Sequence, residues 1–311
     1  MLAGGVGAAR YLAGLLQVVD AADVTAIVNV GDDTVLHGLH ISPDLDTVTY
    51  TLAGEINTET GWGLKGETWN AMATVGRYGG PTWFGLGDRD LGTHLFRTGR
   101  LADGATLSKV TAAIATAWDL RLCLLPASDD PVRTMVTIDD TDGTAREVGF
   151  QDYFVGRHHD VPVRSLRFAG ADAASPAPGV LDAIATADVV VIAPSNPLVS
   201  IGPVLAVPGI RAAVEAARPR VVAVSPIVAG AALKGPADRM LRELGHEASV
   251  VGVARLYAPL AATLVIDEAD AASAAAVEAE GIGTLVVPTV MSTPAIAADL
   301  GRATLSPIAS S

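Results

Sequence analysis

Three observations predict an α/β fold with a Rossmann-like, doubly wound and mainly parallel sheet. Short β-branched apolar runs recur at 26–30, 189–193, 221–224, 264–266 and 285–287. Several of them empty into a turn rich in Gly, Ser, Asn or Asp before a helical period begins, which is the strand–loop–helix pattern of a parallel sheet. The composition, 50% hydrophobic and 18% charged over 311 residues, supports a sizeable core. No repeat or low-complexity linker divides the chain, so 1–311 is expected to be a single α/β domain, with a mostly helical insertion over about 55–120.

The first strand is a stub, because only Met1, Leu2 and Ala3 precede the glycines, and the chain reads as shortened at its start. Gly4, Gly5 and Gly7 then run into a helix carrying Arg10, Leu12, Leu15 and Leu16. Glycines at a helix start let backbone N–H groups and the helix dipole face a phosphate; a tight turn is the alternative. Arg10 either pairs with phosphate oxygens or is a surface arginine.

Residues 25–50 organise the rest. The strand at 26–30 ends in Gly31, Asp32 and Asp33, and a turn at Ser42, Pro43 and Asp44 opens a helix that carries Asp46. In open α/β sheets ligands bind at the carboxyl ends of strands, so acids grouped there point to a metal or a substrate. Asx-turns and N-caps are the other reading. Asp44 and Asp46 are two apart, roughly 200° around a regular helix at ~3.6 residues per turn. They could share an ion only if Asp44 lay in the turn as an N-cap.

Further helices are expected from about Glu67 to Tyr78, after Gly85–Asp90, and over 106–118. His94 and Arg97 lie on nearby faces of the second of these, where His94 alone is more often a packed or surface histidine than a ligand. Pro126 and Pro131 split two strands within 121–138; Asp139 to Gly143 reads as a hairpin turn, with a strand over 147–154. Ser128, Asp129 and Asp130 could reach a ligand, though turn chemistry explains them too. Adjacent His158 and His159 point in different directions on any regular element and make a poor metal pair. The strand at 189–193 stops at Ser195 and Asn196, with Ser200 beyond, the usual setting of a nucleotide pocket. Val250, Val251 and Val253 suggest a short strand, and 269–279 a helix. Lys234 follows the strand at 221–224 in a glycine-bearing loop.

The net charge of −13 argues against nucleic-acid binding through a basic face. Cys123 is the only cysteine, so no intrachain disulfide forms, and its leucine neighbours suggest a core thiol. No stretch approaches a membrane span or a signal peptide, which leads to the expectation of a soluble cytoplasmic protein with no membrane partner.

Several loops together resemble one family. GGVGAAR (4–10), NVGDD (29–33), SPDLDT (42–47), GWG (61–63), GLGDRDLGTH (85–94), FQDYFVGR (150–157), APSNPLVSIGP (193–203) and VSPIVAG (224–230) are similar to the 2-phospho-L-lactate transferases of coenzyme F-420 biosynthesis, in particular the actinobacterial phosphoenolpyruvate branch. The resemblance implies attack by the ribityl hydroxyl of the deazaflavin FO (7,8-didemethyl-8-hydroxy-5-deazariboflavin) on a guanosine-diphosphate-linked lactyl or enolpyruvyl donor, with GMP leaving. It implies Mg²⁺, held by Asp44 and Asp46 with Asp32 or Asp33 in support, because Mg²⁺ takes a few carboxylates and keeps waters. Asp46 and Arg89 would contact the acceptor and, with Asp44, form the catalytic group; His94 joins the binding set. Gly4, Gly5, Gly7 and Arg10 would cradle the donor phosphates, and Ser195, Asn196 and Ser200 the guanosine. It also implies a homodimer. With the chain ending at Ser311, no fused glutamate ligase is expected. Two other classes stay open: a non-catalytic UDP-sugar-binding regulator of the gluconeogenesis-factor type, which would not need the acids to meet a metal, and an NAD-dependent oxidoreductase, for which GGxG departs from GxGxxG.

Overall fold

A two-residue strand lies at the centre of this molecule. The computed structural model describes residues 1–140, 143–233 and 235–306. Its strands are β1 (Leu2–Ala3), β2 (Thr25–Val28), β3 (Thr34–Leu36), β4 (Leu39–Ile41), β5 (Cys123–Pro126), β6 (Arg133–Asp139), β7 (Ala145–Gly149), β8 (Val163–Ala169), β9 (Val190–Ile192), β10 (Val221–Val224), β11 (Ile227–Val228), β12 (Ala231–Ala232), β13 (Thr263–Ile266) and β14 (Gly283–Val286). Seven of them form one parallel sheet in the order β14-β13-β10-β9-β1-β2-β5. Leu2 pairs with Ile27 on one side and Ile192 on the other. The chain therefore builds outward from β1 through β2 to β5, returns to the opposite side of β1 as β9, and builds outward again. This reversal is the topological switch point, where open α/β sheets leave a crevice.

The sheet holds because its strands are apolar on both faces. Val190, Val191, Ile192, Val221, Val222, Ala223 and Val224 are all buried, each larger side chain contributing about 1.5–3 kcal/mol relative to exposure. Helix α1 (Gly5–Leu15) leaves β1 directly and packs on the last helix, Pro294–Leu305. The contact is close: a Cβ on Gly14 would lie 2.4 Å from the carbonyl carbon of Ala297. Beneath it the hydroxyls of Tyr11 and Thr304 are hydrogen-bonded and buried.

Between β4 and β5 the chain is helical: α2 (Pro43–Leu52), α3 (Asn70–Arg77), α4 (Asp90–Ala102) and α5 (Leu107–Ala117). A three-stranded antiparallel sheet, β7-β6-β8, follows β5. Its β6–β7 hairpin runs in register from Met135↔Gly149 to Asp139↔Ala145; Thr141 and Asp142 of the turn expected there lie outside the described residues, as does Lys234. Among the described residues no single helix is long and apolar enough to cross a membrane.

Three expectations change. Val250–Tyr257 is a helix and not a strand, because Ser249 caps it by accepting from the Gly252 N–H at 3.1 Å, and Val250, Val253 and Tyr257 are buried at helical spacing. The strand expected over 147–154 stops at Gly149; the chain is helical over 150–156, and that turn stacks Phe150 on Phe154 with ring centroids 5.4 Å apart, at four-residue spacing. Cys123 is exposed, because on the edge strand β5 alternation buries Leu122 and Leu124 and turns the thiol outward.

Gly14→Ala tests the packing of α1. The added methyl has no room, so urea unfolding should show a loss of roughly 1–3 kcal/mol; unchanged or increased stability would contradict the packing described.

Candidate functional site

The sheet's switch point opens into a cleft of about 770 Å³. The glycine loop after β1, the acidic turn after β2, the loop after β9, Ser225 and Pro226 after β10, and Thr289–Ser292 after β14 all line it. One end of the parallel sheet thus supplies the floor, and the helical region and the loop after β7 supply walls bearing Trp62, Phe84, Phe150 and Phe154.

Helix α1 begins at the cleft; its N-cap, Gly4, offers no side chain, and Asp44 accepts from the Gly5 N–H of the first turn. Its Gly7 allows the approach, since a Cβ there would sit 2.2 Å from the carbonyl oxygen of Pro194. Arg10 stands exposed on the same wall, with no ion-pair partner among the described residues. Ser195 and Asn196 hold the facing loop more than they reach into the cleft. The Ser195 hydroxyl donates to the Gly4 carbonyl at 2.8 Å, and the Asn196 side-chain oxygen accepts from the Leu198 N–H at 2.9 Å. Ser200 sits against Gly4, whose added Cβ would fall 2.7 Å from the Ser200 Cβ.

The acids separate into two groups. Ser42, not Asp44, is the N-cap of α2, so Asp44 is already helical and diverges from Asp46. The expectation that both turn toward one ion is corrected on that ground. Asp44 faces β2: buried Asn29 donates through its amide nitrogen to Asp44 Oδ2 at 2.9 Å and to Asp32 Oδ1 at 3.2 Å, drawing the two carboxyls together. Asp33 lies behind them and does not line the cleft; its Oδ2 accepts from the Ser42 hydroxyl at 2.8 Å, while its buried Oδ1 has no partner. Burial pushes all three upward. Asp44 rises to about 6 despite hydrogen bonds from Asn29 and Gly5, and Asp33 to about 8 despite Ser42 and Arg97. Asp32 rises through burial and then the adjacent charge of Asp44.

Asp46 turns to α4. Arg97, 2% exposed, donates through Nη1 to Asp46 Oδ2 at 3.1 Å and through Nη2 to Oδ1. His94 Nδ1 lies 3.8 Å from Asp46, and His94 Nε2 lies 3.2 Å from Asp90. Tyr50 donates its hydroxyl proton to Asp90 at 2.7 Å. Burial opposes ionisation of Asp90, yet His94 and Tyr50 hold it below the usual carboxylate range. Asp46, Asp90 and His94 are spaced to ligate a metal, but Arg97 already supplies their positive charge. The acids of the cleft with no cation against them are Asp32 and Asp44, whose oxygens suit a hard ion, while Asp33 behind them already feels Arg97.

Arg89 is elsewhere. It does not line the cleft; its guanidinium bonds the Lys65 carbonyl and lies 3.4 Å from Glu55. The neighbouring acid Asp88 caps α3, accepting from the Asn70 and Ala71 N–H groups at 3.0 Å each. Asp129 and Asp130 accept from the Ser108 and Ser175 N–H groups, at 2.6 and 2.8 Å, and are turn residues. Asn29, Tyr50, Asp90 and Arg97 were not anticipated as site residues. The only signal for the last two is the spacing Asp90, His94, Arg97 along one helix face.

The raised acids make stability depend on pH. An acid whose folded-state value is raised binds its proton more tightly when folded, so the folded state is favoured at low pH and loses that advantage as pH climbs. In the metal-free protein, unfolding free energy should fall between about pH 4 and pH 8, and Asp33→Asn should flatten that fall. Urea titrations at several pH values measure it; a variant with the wild-type slope would contradict the assignment.

The family model "2-phospho-L-lactate transferase CofD" matches residues 1–287. A phosphoenolpyruvate transferase of Kitasatospora aureofaciens is 51% identical, covering 98% of this chain and 96% of its own. One of Streptomyces griseus is 47% identical, over 98% and 96%, and one of Nocardia farcinica 45%, over 98% and 93%. Among solved structures, a Bacillus halodurans protein described as a member of the UPF0052 family shares the fold, with a TM-score of 0.63 at 20% identity over 98% of this chain and 97% of its own. The glycine loop, the acidic turn after β2 and the Ser–Asn loop that meet at the switch point are thus those of a protein belonging to the 2-phospho-L-lactate transferase family.

Proposed function

We propose that the cleft transfers a phosphoenolpyruvyl or phospholactyl group from a guanosine-diphosphate-linked donor to FO, releasing GMP, in coenzyme F-420 biosynthesis. The observation that carries this reading is the convergence, in one cleft, of a glycine-rich helix start, an unpaired arginine and buried carboxylates short of positive charge. The name shared by the actinobacterial relatives favours enolpyruvyl as the group carried.

In this reading the α1 N–H groups and Arg10 hold the diphosphate, using the helix dipole and a cation at the same place. Trp62, Phe84, Phe150 and Phe154 offer flat apolar walls for a deazaflavin ring. A ribityl oxygen bonds to the distal phosphorus while the bridge bond to GMP breaks, its electron pair leaving with GMP, and the hydroxyl proton passes to water. Charge then spreads over phosphoryl oxygens, so catalysis rests on positioning and neutralisation. Asp32 and Asp44 would hold Mg²⁺, with Asp33 behind them; when bound, the ion neutralises phosphate charge that this acidic cleft otherwise repels. Arg89, joined to Glu55, takes no part in the proposal.

Incubation with FO, the enolpyruvyl donor and Mg²⁺ should yield GMP and an FO phosphodiester in equal amounts, detected by chromatography and mass, and chelation should stop it. Asp44→Asn should lower turnover at least about 10–100-fold and raise the Mg²⁺ concentration required. Absence of GMP with both substrates present, together with a thermal shift given by UDP-N-acetylglucosamine alone, would replace the transferase with a sugar-nucleotide-binding regulator.

A further inference from the structure

The most buried cation near the cleft, Arg97, reaches four acceptor atoms on three residues. Beyond both oxygens of Asp46, its Nη1 lies 3.2 Å from His94 Nδ1 and 3.3 Å from the His40 carbonyl. A guanidinium can only donate. Where His94 Nδ1 accepts from this guanidinium, the ring carries its proton on Nε2. That proton faces Asp90 Oδ2 at 3.2 Å, a close contact whose angle falls short of a full hydrogen bond. Asp90 is fixed in turn by the Tyr50 hydroxyl. Asp46, His94, Asp90 and Tyr50 all line the cleft; Arg97 does not.

We propose that Arg97 is a positioning residue for the acceptor: by gripping Asp46 through two bonds and fixing the His94 tautomer through a third, it aims the remaining Asp46 lone pairs at the attacking hydroxyl. The proposal rests on the transferase reading. Taking an arginine and an aspartate out of water costs several kcal/mol per ion, and apolar side chains would fill this space between α2 and α4 without that cost. A planar fork, unlike an ammonium, can span two carboxylate oxygens and a ring nitrogen together. With the carboxylate clamped, its role is to orient the hydroxyl, and a misplacement of ~1 Å in such an element costs about a hundredfold in rate.

The test is Arg97→Lys, which keeps the charge and loses the fork. Relative to wild type, kcat for GMP release should fall about a hundredfold, while KM for the guanosine donor stays within about threefold, because the donor's proposed contacts lie on α1. In the double variant with Asp46→Asn, the loss should be no greater than in Asp46→Asn alone. Nitrogen NMR of wild-type His94 near pH 7 should show a neutral ring protonated at Nε2, and Arg97→Lys should shift it. Wild-type kcat in Arg97→Lys, or additive losses, would overturn the proposal. So would a His94 ring that is charged or protonated at Nδ1, a result readable even if the lysine variant fails to fold. The NMR needs no substrate, so a wild type that releases no GMP would sink the assigned reaction and leave the tautomer independently decided.

Discussion

The structure turns on the bond pair made by Asn29. This fully buried amide at the end of β2 donates to a carboxylate from its own turn, Asp32, and to one from the start of α2, Asp44, and accepts from the Gly31 N–H at 2.8 Å. Two like charges are thereby brought together in a place with little water. Burial then makes ionisation costly, and the acids either keep their protons or gain a cation. Asp44 also accepts from the Gly5 N–H, so the same carboxylate touches the start of α1. The proposed phosphate-binding and cation-binding geometries are thus one piece of structure, linked through a single side chain.

The helical region between β4 and β5 is fixed to this centre by charge as much as by apolar packing. Glu67 accepts from the Arg89 and Asp90 N–H groups at 2.7 and 2.8 Å, capping α4, while Asp88 caps α3. These two caps pin the turn that leads into α4 and so the approach of Arg97 to Asp46. The aromatic wall depends on the same region: Trp62 and Trp69 meet edge to face at 6.0 Å. Acids that read as one catalytic constellation along the sequence thus divide into caps, a clamp and a cation-deficient cluster.

Much of the architecture was legible because it depends on local signals. Continuous Val and Ile runs mark strands buried on both faces, and glycines before an apolar helical period mark a helix start; β9, β10 and α1 stand where those signals place them. Misreadings arose where local preference and tertiary context disagree. The Val250–Val253 run is strand-like by composition, but a serine cap and helical burial override it. Cys123 has apolar neighbours in sequence, yet position on the edge strand decides its exposure. At the site, glycines and aspartates were recognisable by type, whereas the partner of each acid was not. Asp46 meets Arg97 across 51 positions, and Asn29 meets Asp44 across 15. Arg89, flanked by two acids, looked the better candidate until the fold placed Glu55 against it.

The central physical claim is that the buried carboxylates bridged by Asn29, whose ionisation burial opposes, form the seat of the proposed divalent ion. Metal binding to such a group must expel protons. Calorimetric titration of the wild-type protein with Mg²⁺ near pH 7, repeated in buffers of different ionisation heat, counts them directly. The account predicts saturable binding with net proton release that disappears in Asp32→Asn/Asp44→Asn. Binding with no proton exchange, or binding unchanged in that double variant, would contradict it.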